Sequence, residues 1–599
     1  MPATIQACPP RPRVRAALLR LAWLACCLVA LLWASRVHAA EEPGLPRQGA
    51  AERPTERPRS IIDLQPFRQT ETVSIRNPDG ALGSATLIDL NPAVGGWYVL
   101  TISPAVGASH SYHIENPNPL TNRWRLSLDA SQSRLTLQSD SQRCTIWSSA
   151  NDVLELARAS GLPFAPLCDG LLYVRNAVPG TYTHIERVTQ FLRDHVWGGD
   201  RIVGFVRDEA FRDAYAEHGI DQPATPRPVE SHDRPADAQV QPEAALSSVI
   251  PEHLEIDLGA PAPDLMLGFW YPVNRLPGVF VSVMRAGAVP TAILNGERGS
   301  VNALDSVESQ GLDYLVAFDT AQFELHFALG TDHPRLDWSP RVPSDQRDPS
   351  LPGPDGIDTA SPLARTGMVS PALTARVVAA FAGGFKREHG AFHYGALAEE
   401  NSGSHYGFME QGVLFSKLQP GLSTVYRTVD GALDMRTWSG TDDAMLDRLV
   451  DARQNGVPLI EYDQRRGMSV PGSLVSQWGA GNWSGSSDSQ LRTVRAGLCL
   501  QQTPAKAYLI FGYFSTATPS AMARVFQAYD CRYAMQLDIN ALEHTYLALY
   551  VHTQLKLEVQ HLVQGMGEVD RKGGEQLAPR FLGFPDDRDF FYLLRRPQP

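Results

Sequence analysis

The sequence predicts an α+β protein, with a β-rich N-terminal domain followed by a mixed-sheet C-terminal domain. Three observations lead there. Between about residues 60 and 219, short segments of alternating apolar and polar residues are separated by turn residues. Residues 216–268 then contain no aromatic residue and crowd Pro223, Pro226, Pro228, Pro235 and Pro242 into their first part. Such composition buries little apolar surface, so 220–254 reads as a linker. From 255 to 599, apolar strand runs alternate with helical patterns, and the 599-residue length exceeds what one hydrophobic core normally organises.

The N-terminus carries Arg11, Arg13, Arg15 and Arg20, an apolar run from Leu21 to Ala34, and the small-residue site Val37-His38-Ala39. Residues 1–39 therefore read as a signal peptide, which implies a periplasmic or secreted protein. The run is shorter than the roughly 20 residues that span a bilayer, so membrane contact is expected only through an uncleaved anchor. Residues 40–59 are polar, rich in proline and free of aromatic residues, the composition of a disordered segment.

Within the first domain the strand segments are 84–90, 97–102, 123–128 and 134–138, and Thr183-His-Ile-Glu186 forms a capping box that opens a helix to Val196. In the C-terminal half, 267–271, 279–284, 323–329 and 377–385 read as strands. Helices are predicted at Thr441 to Asn455, stopped by Gly456, and at Thr518 to Tyr529, where Thr518 is the N-cap and Pro519 the first helical residue.

Loss of residues 1–39 removes five arginines and no acid, taking the formal charge from −12 to −17. Nucleic acid is thereby an unsuitable partner. Four cysteines remain, two in each half, so Cys144 with Cys168 and Cys499 with Cys531 is the economical pairing of the three possible; four buried thiols is the alternative. No Cys/His spacing suggests zinc, and neither a P-loop, Gly-x-Ser-x-Gly nor His-Glu-x-x-His is present, so neither metal nor cofactor is expected.

Three stretches carry candidate chemistry. Val377 to Ala382 is an apolar run that ends in Gly383-Gly384-Phe385, and adjacent glycines let a ligand oxygen approach backbone N–H groups, although a plain turn uses them too. Arg495 lies one residue before Gly497 at a strand start, where a guanidinium can present a fork to phosphate or form a surface ion pair. Tyr533 to Asp538 reads as a buried strand delivering Asp538 at its end, followed by a turn with Asn540, Glu543 and His544 and by a second strand from about Thr545; His552 is a further polar group assigned to that neighbourhood.

In this order the stretches resemble the phosphodiester glycosidase family. Its members carry a strand ending Asn-Gly-Gly-Phe, an arginine shortly before a strand glycine, then a helix and a strand ending Leu-Asp-Gly-Gly-Gly-Ser or a shorter variant. Gly383-Gly384-Phe385, Arg495 with Gly497, and Leu537-Asp538 match these, over roughly residues 255–570. Ala382 replaces the family asparagine, and Ile539-Asn540-Ala541 replaces the glycines. The resemblance implies hydrolysis of a sugar phosphodiester in a periplasmic or cell-surface glycan such as an exopolysaccharide. Arg495, Gly497, Asn540 and the Gly383-Gly384 amides would bind substrate, Asp538 would act as base or oxocarbenium stabiliser, and Glu543 or His544 would carry the proton. His393, His405, Glu461 and Arg465 would line the cleft. The alternative is an inactive glycan-binding or assembly protein that keeps the fold.

Overall fold

In the computed structural model the described residues are 58–76, 80–129, 132–148, 152–182, 213–223, 234–259, 264–333, 335–338, 342–353, 357–385, 406–477, 489–553, 556–573 and 576–597. The expected signal peptide, nearly all of 40–59, the helix expected from Thr183, and His393 and His405 lie outside them. Residues 55–599 form one compact unit.

The expected α+β class is overturned. Strands take 41% of the chain and helices 11%, and among the described residues every strand pair within the sheets is antiparallel. Part of the error lies at 441–455. A 3-10 turn, Gly440–Arg448, starts there under a Ser439/Asp442 capping box, but the chain then straightens into the buried strand Leu449–Gln454. That strand pairs with Phe408–Glu410 and Ser423–Thr428 on its two sides, and pairing on both edges outweighs the helical spacing of its apolar residues. Its charged side chains find partners: Asp451 lies 2.9 Å from Arg427, and Arg453 lies 2.7 Å from Asp589.

A six-stranded sheet contains Gln69–Arg76, Leu82–Asp89, Trp97–Ser103, His110–Glu115, Leu172–Arg175 and Phe164–Leu167. Its third strand shows what period-two alternation does. Tyr98 and Leu100 enter a local core, while Trp97 and Val99 enter the large core of the rest of the molecule, where Trp97 meets the Phe415 ring at 5.8 Å. The described parts of 220–254 are held as well: Ile220–Pro223 pairs with Ser247–Ile250, and the Ala236 carbonyl accepts the Trp270 indole N–H at 2.9 Å.

An eight-stranded sheet runs through Leu312–Asp319, Ala507–Ala517, Thr493–Gln502 and Cys531–Ile539. A five-stranded sheet, ordered Phe323–Ala328, Phe590–Arg595, Val377–Ala382, Leu547–His552 and Leu557–His561, packs against it through Phe381 and Phe511, 5.2 Å apart. The helix Pro519–Ala528 forms as expected, its Thr518 hydroxyl accepting the Ala521 N–H at 3.2 Å. Cys144 bonds Cys168 and Cys499 bonds Cys531, with Cα separations of 5.6 and 5.8 Å, so the economical pairing is the one present.

Candidate functional site

The chemistry-bearing residues collect at one end of three strands of the five-stranded sheet. Val377–Ala382 ends there, while Leu547–His552 and Phe590–Arg595 begin there, because both run antiparallel to it. Asp538 arrives from the neighbouring sheet, next to last in Cys531–Ile539. It is 3% exposed. Its Oδ1 accepts the Ile539 N–H at 2.8 Å, and its Oδ2 accepts from Arg588 Nη1 at 2.5 Å.

His544 completes the group. Its Nδ1 lies 2.8 Å from the Ile539 carbonyl, which can only accept, so Nδ1 carries the proton. Its Nε2 lies 2.6 Å from Arg588 Nη2, which can only donate. The ring is therefore a neutral imidazole whose basic nitrogen points at a guanidinium. Glu543 stands 4.0 Å from the same nitrogen, and its carbonyl accepts from Arg580 Nη1 at 2.6 Å. Asn540 takes up left-handed backbone at φ 82°, a conformation asparagine tolerates better than most side chains. Its Oδ1 is buried without a hydrogen-bond partner.

Arg588 belongs to a segment that sequence reasoning passed over, Asp586-Asp587-Arg588-Asp589. All four side chains are buried. Asp586 holds the Arg588 N–H at 3.0 Å and grips Arg580 through Nε at 2.8 Å and Nη2 at 3.1 Å. Asp589 holds Arg453, whose guanidinium also lies over the Tyr406 ring at 4.2 Å. Burial pushes the Asp589 carboxyl up and Arg453 opposes it. A run of charges reads as solvated surface, which is why it drew no attention. The available signal was its position against the apolar strand Phe590–Leu594.

The double glycine has a different task from the one expected. The Gly383 N–H is donated to the Asp589 carbonyl at 3.0 Å, so it is not open to a phosphate. A Cβ on Gly384 would stand 3.0 Å from Asn455 Nδ2, the amide that donates to the Gln536 and Leu537 carbonyls. The pair lets two strand ends close over the start of the Asp538 turn.

Arg495 and Gly497 are likewise structural. Arg495 is fully buried and spends its guanidinium on the Ala517 carbonyl, Gln536 Oε1 and the Leu491 carbonyl at 2.7, 2.8 and 2.7 Å. A Cβ on Gly497 would come within 2.8 Å of Phe526 and 2.9 Å of Met522, so the glycine lets the helix 519–528 lie on the sheet. His552 sits at the opposite end of its strand, 2.8 Å from the Val377 carbonyl. Glu461 accepts from the Thr437 hydroxyl at 2.5 Å, and the Arg465 N–H is bound by Asp463, so neither joins the cluster. Among the described residues no group of His, Cys, Asp and Glu has the arrangement of a metal site.

No family model matches the chain, and no curated protein matches it by sequence. Among solved structures it is similar to the zebrafish N-acetylglucosamine-1-phosphodiester α-N-acetylglucosaminidase catalytic domain, auto-inhibited by its pro-peptide. The TM-score is 0.28 at 9% identity, over 54% of this chain and 85% of that one. A hypothetical protein from Synechocystis aligns at TM-score 0.24 and 11% identity, over 87% and 98%. A protein of Burkholderia pseudomallei K96243 assigned to the exported class aligns at 0.20 and 9%, over 49% and 76%. Likeness at these levels carries no argument about fold or activity.

Proposed function

We propose that this is an exported hydrolase of glycosyl phosphodiesters, with Arg588, His544 and Asp538 as its reacting centre. The observation that supports it is the direct contact of one guanidinium with both a carboxylate and a neutral imidazole, at the end of the strand that carries the Leu537-Asp538 motif. An incoming phosphodiester would take over the Arg588 fork, as guanidinium–phosphate pairing favours. That exchange would release His544 Nε2 to accept a proton from water. The water oxygen would bond to the anomeric carbon, the bond from that carbon to the phosphate oxygen would break, and a phosphomonoester would leave with the electron pair. Asp538, freed from Arg588, would face the positive charge that develops on the sugar. Export is supported by the N-terminal segment and by two disulfides.

One observation favours a second reading, a glycan-binding protein without chemistry: Asp538 is nearly inaccessible and already paired with Arg588. Turnover separates the two. A panel of sugar 1-phosphodiesters is followed by phosphorus NMR with the purified chain and its Asp538→Asn and His544→Asn variants. The hydrolase reading expects monoester from at least one substrate and a loss of about a hundredfold or more in each variant. Binding of the panel without turnover by the unmutated protein would leave the second reading in place.

A further inference from the structure

The same three strands have another end, and a cleft of about 560 Å³ opens there. Its walls include Arg275, Arg376, Arg595 and Arg596, with Val551 and Pro597 among the apolar groups. The volume lies in the range of small-molecule sites. Among the described residues no carboxylate lines it, in a chain whose net charge is −12.

The guanidinium groups differ in what holds them. Arg275 is gripped from behind by Glu558 at 2.5 and 2.9 Å, and Arg596 by Glu324 at 3.0 Å together with two carbonyls. Arg376 gives Nε and Nη2 to the Arg595 carbonyl at 3.2 and 3.0 Å and reaches Glu324 only at 4.0 Å. Arg595 lies over the Phe323 ring at 5.1 Å and, among the described residues, has no carboxylate partner. Burial pulls its guanidinium pKa down. A partly desolvated cation beside a cleft of this size has an unmet demand for an anion.

We propose that this cleft binds an acidic saccharide segment, with Arg595 and Arg376 receiving its carboxylate or phosphate groups and the apolar wall receiving the sugar faces. A lone inorganic anion would leave most of the volume to water. That the chain is a saccharide rests on the reading above; the demand for an anion does not. The cleft would hold the polymer while the distant centre acts on another part of it.

Calorimetric titration tests this without turnover. The ligands are tetragalacturonate, neutral maltotetraose, tetraglutamate and inorganic phosphate, at low and high salt. The proteins are the full chain and its Arg595→Gln, Arg595→Lys and Asp538→Asn variants. Tetragalacturonate is expected to bind best and to weaken with salt. Arg595→Gln should lose about tenfold or more, Arg595→Lys should fall between, and Asp538→Asn should bind unchanged. An unshifted thermal midpoint shows that the Arg595 variants fold, and a cooperative unfolding transition, at a lower midpoint because the buried pair is broken, shows it for Asp538→Asn. Equal binding by Arg595→Gln, or of the neutral tetramer, overturns the proposal; tetraglutamate or phosphate binding as well as the tetragalacturonate overturns the saccharide. Tetragalacturonate binding with no turnover of any sugar 1-phosphodiester would sink the hydrolase and leave the cleft, whereas turnover of a sugar 1-phosphodiester without tetragalacturonate binding does the reverse.

Discussion

The strands 377–382, 547–552 and 590–595 connect two arginine clusters roughly 17 Å apart along the strand direction, and the clusters differ in what their charges face. At the Asp538 end, Arg588, Arg453 and Arg580 each have an aspartate: Asp538, Asp589 and Asp586. The pairs are buried. At the other end Arg595 is partly exposed and, among the described residues, has an aromatic ring instead of a carboxylate. A guanidinium locked to an acid in the interior organises backbone, and to meet a ligand it must exchange a partner. One without an acid beside an open cleft is ready for a ligand. The comparison separates an arginine that holds the fold from one that recognises.

Breaking the buried end should cost most. Arg588→Ala leaves the Asp538 carboxylate uncompensated, and a loss of about 3–5 kcal/mol is expected on urea unfolding. A loss below about 1 kcal/mol would show that water already reaches the pair. Next comes the packing reading of Gly497. Gly497→Ala pushes a methyl against Phe526 and Met522 and should cost about 1–3 kcal/mol, with no effect on ligand affinity beyond that of unfolding.

An intermediate case sharpens the contrast, because Arg175 serves two buried acids, Glu115 at 3.0 Å and Glu410 at 3.5 Å. Burial pushes Glu410 up to about 7, against an ordinary value of 4.5, and Arg175 opposes it only in part. A carboxyl raised in the folded state binds a proton that the unfolded chain has released. Its stabilising contribution is whole below about 4.5 and is lost as pH rises through about 7. Unfolding midpoints across that window should fall less steeply with rising pH in Glu410→Gln than in the unmutated chain. An unchanged slope would place the proton elsewhere. The smallest stability effect belongs to Arg595→Gln, expected within about 0.5 kcal/mol because no buried acid loses its partner.

Much of the scaffold was legible where local signals and tertiary packing agree. Thr518-Pro519 announces its helix by capping chemistry, and Val377 to Ala382 announces a buried strand by its continuous apolar run. At 449–454 they disagree: Asp451, Arg453 and Gln454 break the apolar run, and only partners remote in sequence make a strand of it. The candidate site's geometry was half legible for the same reason. Asp538 accepts the Ile539 N–H and His544 reaches the Ile539 carbonyl, so one turn brings them together. Arg588 reaches them from fifty residues away, in a charged run that looks solvated. Arg495 was misread because a fork beside a glycine looks the same in sequence whether it meets a ligand or three groups of its own fold.

The most direct measurement of the central claim is hydrolysis of a sugar 1-phosphodiester in oxygen-18 water, with the phosphorus resonance of the product read for isotope. Attack at the anomeric carbon, with His544 taking the proton and Arg588 holding the phosphate, predicts a phosphomonoester free of label. Label in the phosphate, or no product from any sugar phosphodiester, would contradict it.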